Sequence, residues 1–79
     1  MAARPPERGD GDLRGSLPTR AERRVLALLD RGLTFNEAAA DLYVSIHTVK
    51  SHAQRLYRRL GVNSRQAAVE VARERGLLD

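Results

Sequence analysis

The chain has 79 residues and a net charge of +4, from 14 basic and 10 acidic side chains, and its pI is about 10.6. Its length allows one domain, near the size at which a single core is marginal, and with no cysteine a disulfide framework and a thiolate zinc site are excluded and a reducing, cytoplasmic setting is expected. No apolar run approaches the roughly 18 residues of a membrane span and no signal peptide is expected, so the basic balance is compatible with nucleic acid or another anionic partner.

Residues 1–16, "MAARPPERGDGDLRGS", hold two prolines, three glycines and interleaved charges. Such a segment buries too little apolar surface to offset the entropy of ordering, so a flexible, disordered tail or linker is expected there. The domain is expected over 17–79. Thr19 followed by Glu22 forms a capping box and opens a first helix over about 20–31, with Gly32 placed to close it. Thr34 and Glu37 repeat the signal for a second helix over about 35–41. That helix has no glycine stop, so "LYV" at 42–44 must make a tight, partly buried turn. Ser45 can cap a third helix over 46–60, which Gly61 would end. Asn63 with Gln66 offers a weaker cap for a fourth helix over about 64–75, stopped by Gly76. No segment alternates with the period of a strand, and the class expected is all-α.

The third helix carries the chemistry. Its apolar residues Ile46, Val49, Ala53, Leu56 and Leu60 fall within roughly 80° of arc, a continuous stripe for a core. Opposite lie Ser51, Arg55 and Arg58, flanked by His47, Thr48, Gln54 and Arg59, with Lys50 at the edge beside Gln54. Lys50, Arg55, Arg58 and Arg59 are its four basic residues and it has no acidic one, while 1–16, 17–45 and 61–79 are each neutral. The whole net charge therefore sits on one helix. Amides, hydroxyls and cations of this kind match the base edges and phosphates of a B-DNA major groove. A solvated face of an ordinary surface helix would usually intersperse acids at i, i+4 spacing. The short second helix, the three-residue connection and the third helix have the proportions of a helix-turn-helix, although any αα-hairpin of a bundle would look similar. His47 and His52 diverge by about 140° on a helix and are not expected to share a metal. No nucleophile–base set, glycine-rich phosphate loop or carboxylate pair suggests an enzyme, and no cofactor is expected.

Several words of the sequence together carry a resemblance: "LPTRAERRVL" at 17–26, "GLT" at 32–34 with Glu37, "TVKSH" at 48–52, "LGV" at 60–62, "SR" at 64–65 and "GLL" at 76–78. Over 17–78 the chain resembles the LuxR-type (GerE, FixJ/NarL-like) helix-turn-helix domain of bacterial transcription regulators, a family that includes response regulators. "RLYRRLGV" and "ARERGLL" look most like the same domain in large ATP-dependent regulators. The resemblance implies four helices and sequence-specific binding of double-stranded DNA, the third helix lying in the major groove. It carries base contacts onto Lys50, Ser51 and Gln54, and phosphate contacts onto Thr34, Ser45, His47, Thr48, Arg55 and Arg58. It further implies a homodimer through the fourth helix on an inverted repeat, with Ala68, Val69 and Ala72 at the interface, and RNA polymerase as a further partner. The sequence departs from the family where Ala38 replaces a usual Ile, a loss of volume that Tyr43 or Phe35 could refill, and where Ser51 is short. The main competing reading is a protein-interaction bundle whose basic face docks an acidic partner, and a second is a sigma-factor-like region, which shares the helix-turn-helix but acts beside a core polymerase.

Overall fold

The computed structural model describes residues 16–78; of the expected tail, residues 1–15 lie outside the described range. Four helices follow one another: α1 Arg20–Asp30, α2 Phe35–Leu42, α3 Ile46–Leu60 and α4 Arg65–Glu74. The described residues contain no strand, so the all-α expectation holds.

Each helix begins on a hydroxyl. Thr19 accepts the Glu22 N–H at 3.1 Å while the Glu22 carboxylate accepts the Thr19 N–H at 3.1 Å. Thr34 and Glu37 close the same reciprocal box on α2 at 3.1 and 2.9 Å. Ser45 caps α3 by accepting the Thr48 N–H. On α4 the expected cap is corrected: Ser64, one residue beyond Asn63, accepts the Ala67 N–H at 3.2 Å. The Ser64 hydroxyl reaches the third amide of the helix, which leaves Gln66 at the second helical position, out of register for a box.

The four helices also end alike. In each, the C-cap or the residue after it adopts a left-handed conformation and the next amide reaches back to a carbonyl five residues earlier: Leu33 to Leu28, Val44 to Ala39, Val62 to Tyr57 and Leu77 to Ala72, at 2.8–3.1 Å. Three of the left-handed residues are Gly32, Gly61 and Gly76; the fourth is Tyr43, at φ 59°. Tyr43 thus occupies a glycine position, and the expected part-buried turn is corrected at this residue, which is 94% exposed. Only Leu42 of "LYV" turns inward, packing against the core.

Helix α3 is the hub: it packs against α1, α2 and α4. Its buried residues enter two clusters. Val49 and Ala53 join Val25, Leu28, Leu29, Ala38 and Ala39, with Phe35, Leu42 and Ile46 packed at the margin. Leu56 and Leu60 join Leu26, Ala68 and Ala72, with Val62, Val71, Leu77 and Leu78 around them. Tyr57 touches both clusters. Ala38 is fully buried, and Phe35, not Tyr43, lies against its cluster.

One polar contact runs through the packing. Glu22 and Arg59 are both buried, and Arg59 Nε donates to Glu22 Oε1 at 2.5 Å. Arg59 Nη1 donates to Ser16 Oγ at 2.7 Å, so Ser16, expected with the tail, is held to the end of α3. The same Glu22 carboxylate oxygen caps α1. Arg59, expected on the flank of the polar face, is thereby corrected to an internal position.

A non-glycine residue in the left-handed region costs on the order of 1–2 kcal/mol, partly offset because glycine loosens the unfolded chain by about 0.5–1 kcal/mol. Tyr43→Gly should therefore stabilise the domain by about 0.5–1 kcal/mol, seen as a higher urea midpoint at unchanged slope.

Candidate nucleic-acid interface

With Ile46, Val49, Ala53, Leu56, Arg59 and Leu60 turned inward, the exposed residues of α3 are His47, Lys50, Ser51, Gln54, Arg55 and Arg58. Their spacing of three, one, three, one and three is the helical repeat, so they form one continuous face. All three residues expected to meet bases, Lys50, Ser51 and Gln54, are on it. Arg55, Arg58 and His47, expected at phosphates, share it. Thr48 is half-buried and is engaged at the cap, its Oγ1 lying 3.1 Å from Ser45 Oγ. Thr34 is exposed at the opposite end of the helix pair, at the start of α2. His52 is half-buried on the flank of α3.

The electrostatics of the face follow from what α3 lacks. No acid occupies its first turn, so the positive end of the helix dipole is left to whatever anion approaches Ser45. Arg58 and Arg59 lie in the last turn, where cations oppose the negative end of the dipole. Since Arg59 is neutralised by Glu22, the cations offered outward are Lys50, Arg55 and Arg58.

Sequence reasoning missed the wall beside this face. A groove of about 500 Å³ is lined by Phe35, Lys50, Gln54, Tyr57, Arg58, Val62 and Asn63. Tyr57 lies seven residues after Lys50, two helical turns along the same side, which was the available signal; Phe35 and Asn63 come from other elements and left none. Burial pushes the Tyr57 hydroxyl above its ordinary pKa, and the nearby Arg65 guanidinium pulls it partly back. Arg65 in turn donates to the Leu33 carbonyl at 2.8 Å, tying the start of α4 to the α1–α2 loop.

The expected dimer residues are corrected in part. Ala68 and Ala72 are fully buried in the chain's own core, because their small side chains let α4 approach Leu56 and Leu60. Neither can meet a second copy. Val69 is half-exposed, between Gln66, Glu70 and Arg73 on the outer side of α4.

Residues 16–72 match the profile of "Bacterial regulatory proteins, luxR family". The chain belongs to that family. Its described helices are the family's helix-turn-helix, the DNA-binding domain of a transcription regulator. It is 50% identical over 58 residues to the probable transcriptional regulatory protein NarL of Mycobacterium tuberculosis, an alignment that covers 73% of this chain and 27% of that protein. The chain thus matches about a quarter of the length of this curated relative. Two solved structures are similar. The response regulator ChrA of a heme-sensing two-component system superposes with a TM-score of 0.76 at 37% identity, over 78% of this chain and 31% of that one. The transcription factor GerE superposes with a TM-score of 0.72 at 30% identity, over 77% of this chain and 91% of that one.

Two adjacent arginines of this LuxR-family domain should behave in opposite ways. Arg59→Leu strands a buried carboxylate and should cost about 3–5 kcal/mol in urea unfolding, whereas exposed Arg58→Ala should change stability by less than about 0.5 kcal/mol. Tyr57 gives a pH signature. Its folded-state pKa is raised, so the folded form holds the proton more tightly and stability should fall as pH rises past the ordinary tyrosine value of about 10. Denaturation of Tyr57→Phe followed across that range should lack this component.

Proposed function

We propose that this domain reads a specific double-stranded DNA sequence by laying α3 in the major groove. The observation that carries the reading is the unbroken exposed face His47, Lys50, Ser51, Gln54, Arg55 and Arg58 on a helix free of acids. Lys50 donates to guanine N7 and O6, Gln54 pairs with the adenine edge, and Ser51, being short, lets the helix sit close. Arg55 and Arg58 neutralise phosphates, joined by the hydroxyls of Thr34, Ser45 and Thr48 and by His47. Phe35, Tyr57 and Asn63 form the wall along which one DNA strand runs. In this reading the work is binding, in the cytoplasm, and the chain performs no catalysis.

Two copies on an inverted repeat would double the contacts, and α4 is the helix whose outer side is open to a second copy. The buried alanines confine that contact to Val69 with Gln66, Glu70 and Arg73. RNA polymerase is the partner such a complex would address at a promoter.

Selection of bound duplexes from a random pool with the purified domain tests the reading; a consensus, in inverted repeat if the dimer forms, is the expected result. Against that consensus, Lys50→Ala and Gln54→Ala should each cost about 1–3 kcal/mol and relax preference at one base pair. Arg58→Ala should weaken binding to all sequences and lower the salt slope by about one. An equal, sequence-independent loss in all three would overturn the groove assignment, and binding to an acidic protein that survives salt and needs no nucleic acid would favour α3 as a docking face instead.

A further inference from the structure

The outer side of α1 carries a second set of cations that the charge count conceals. Residues 17–45 hold four basic and four acidic side chains. Two of those acids are spent on other helices: Glu22 is buried against Arg59 of α3, and Asp30 is bonded to Arg73 of α4 at 2.6 Å. Glu37 and Asp41 belong to α2. Arg20, Arg23, Arg24 and Arg31 remain, all exposed, and none forms an ion pair with another described residue. With Ala27 they occupy roughly 100° of arc, on the side of α1 opposite Val25, Leu26, Leu28 and Leu29.

Helix stability does not explain these positions. Arg20 and Arg23 stand in the first turn, where the helix dipole is positive and cations are unfavourable. Beside them runs a groove of about 280 Å³, lined by Arg23, Ala27, Asp30, Arg31, Leu77 and Leu78. Guanidiniums at the rim ask for carboxylates, held bidentate. An apolar floor asks for an aliphatic side chain, which a nucleic-acid backbone does not have.

We infer that the outer side of α1, together with Leu77 and Leu78, docks an acidic, leucine-bearing segment of a partner protein. The surface lies on the far side of α1 from α3, so docking leaves the exposed face of α3 open and the two ligands bind at once. This site is independent of the DNA reading, since its ligand is protein.

The test is a titration of the isotope-labelled chain, alone and with saturating duplex DNA, with the synthetic peptide Ac-DELLEDLLDELE, followed by amide chemical shifts. Shifts at 20–31 and 77–78 that persist in the presence of DNA are the expected result. Arg23→Gln/Arg31→Gln should weaken the peptide at least tenfold while DNA affinity stays within twofold. A peptide with Ser in place of Leu should bind at least about tenfold more weakly, the worth of one or two buried aliphatic side chains. Shifts confined to α3 and displaced by DNA, no shift at all, or unchanged affinity in the double variant would each overturn the assignment. Equal binding of the Ser peptide would overturn the groove, and α1 shifts produced by duplex DNA alone would reassign the face to nucleic acid.

Discussion

A single 15-residue helix has to be held firmly along one side and left bare along the other, and the rest of the molecule is arranged around that demand. Val49, Ala53, Leu56 and Leu60 of α3 reach both parts of the core. Each of the other helices packs against this one. Burial of an apolar stripe sets how deep a helix sits but resists rotation about its own axis only weakly. The Glu22–Arg59 pair supplies a directional contact on one flank of the stripe. It is enclosed enough that its geometry matters, and it ties α1, α3 and Ser16 together through one guanidinium. A buried pair of this kind is weak evidence for added stability; here it fixes which residues of α3 face outward.

Enclosure also decides which charges a partner meets. Counted along the chain, the net charge belongs to α3 alone. Once Glu22 and Arg59 are removed from the surface and Asp30 is joined to Arg73, the outward cations of α3 are three and the outer side of α1 carries four arginines without a described acidic partner. The molecule therefore presents two basic faces on opposite sides of the α1–α3 layer. One is lined with groups suited to base edges, the other with guanidiniums around a small apolar groove.

The connection between α2 and α3 is the place where local chemistry yields to geometry. Three helix ends use glycine for the left-handed residue, and this one uses Tyr43. The conformation is kept because the Val44 amide returns to the Ala39 carbonyl and Leu42 is drawn into the core, fixing the turn from both sides. The strain sits in the turn that sets the angle between the two helices of the DNA-binding pair, and the aromatic ring it bears is left in solvent.

Much of this domain is legible one residue at a time. Capping hydroxyls with a carboxylate three positions later, glycines just past helix ends and a three-four apolar spacing are local signals, each read within a single turn, and they place the four helices to within a residue or so. The exposed face of α3 follows from the same periodicity, which is why Lys50, Ser51, Gln54 and Arg58 were readable from the sequence alone. Tertiary structure decided whatever depends on two elements meeting. Arg59 and His52 lie on one flank of α3 at nearly the same helical angle, and only Glu22, across from that flank on α1, determines that the arginine turns inward. Ala68 and Ala72 read as a surface for a second copy until α3 is packed against them, because small side chains suit either kind of close approach. The arginines of α1 were cancelled in the count by acids that the fold assigns to other helices. Periodicity states which side of a helix differs from the other; contact alone states what each side meets.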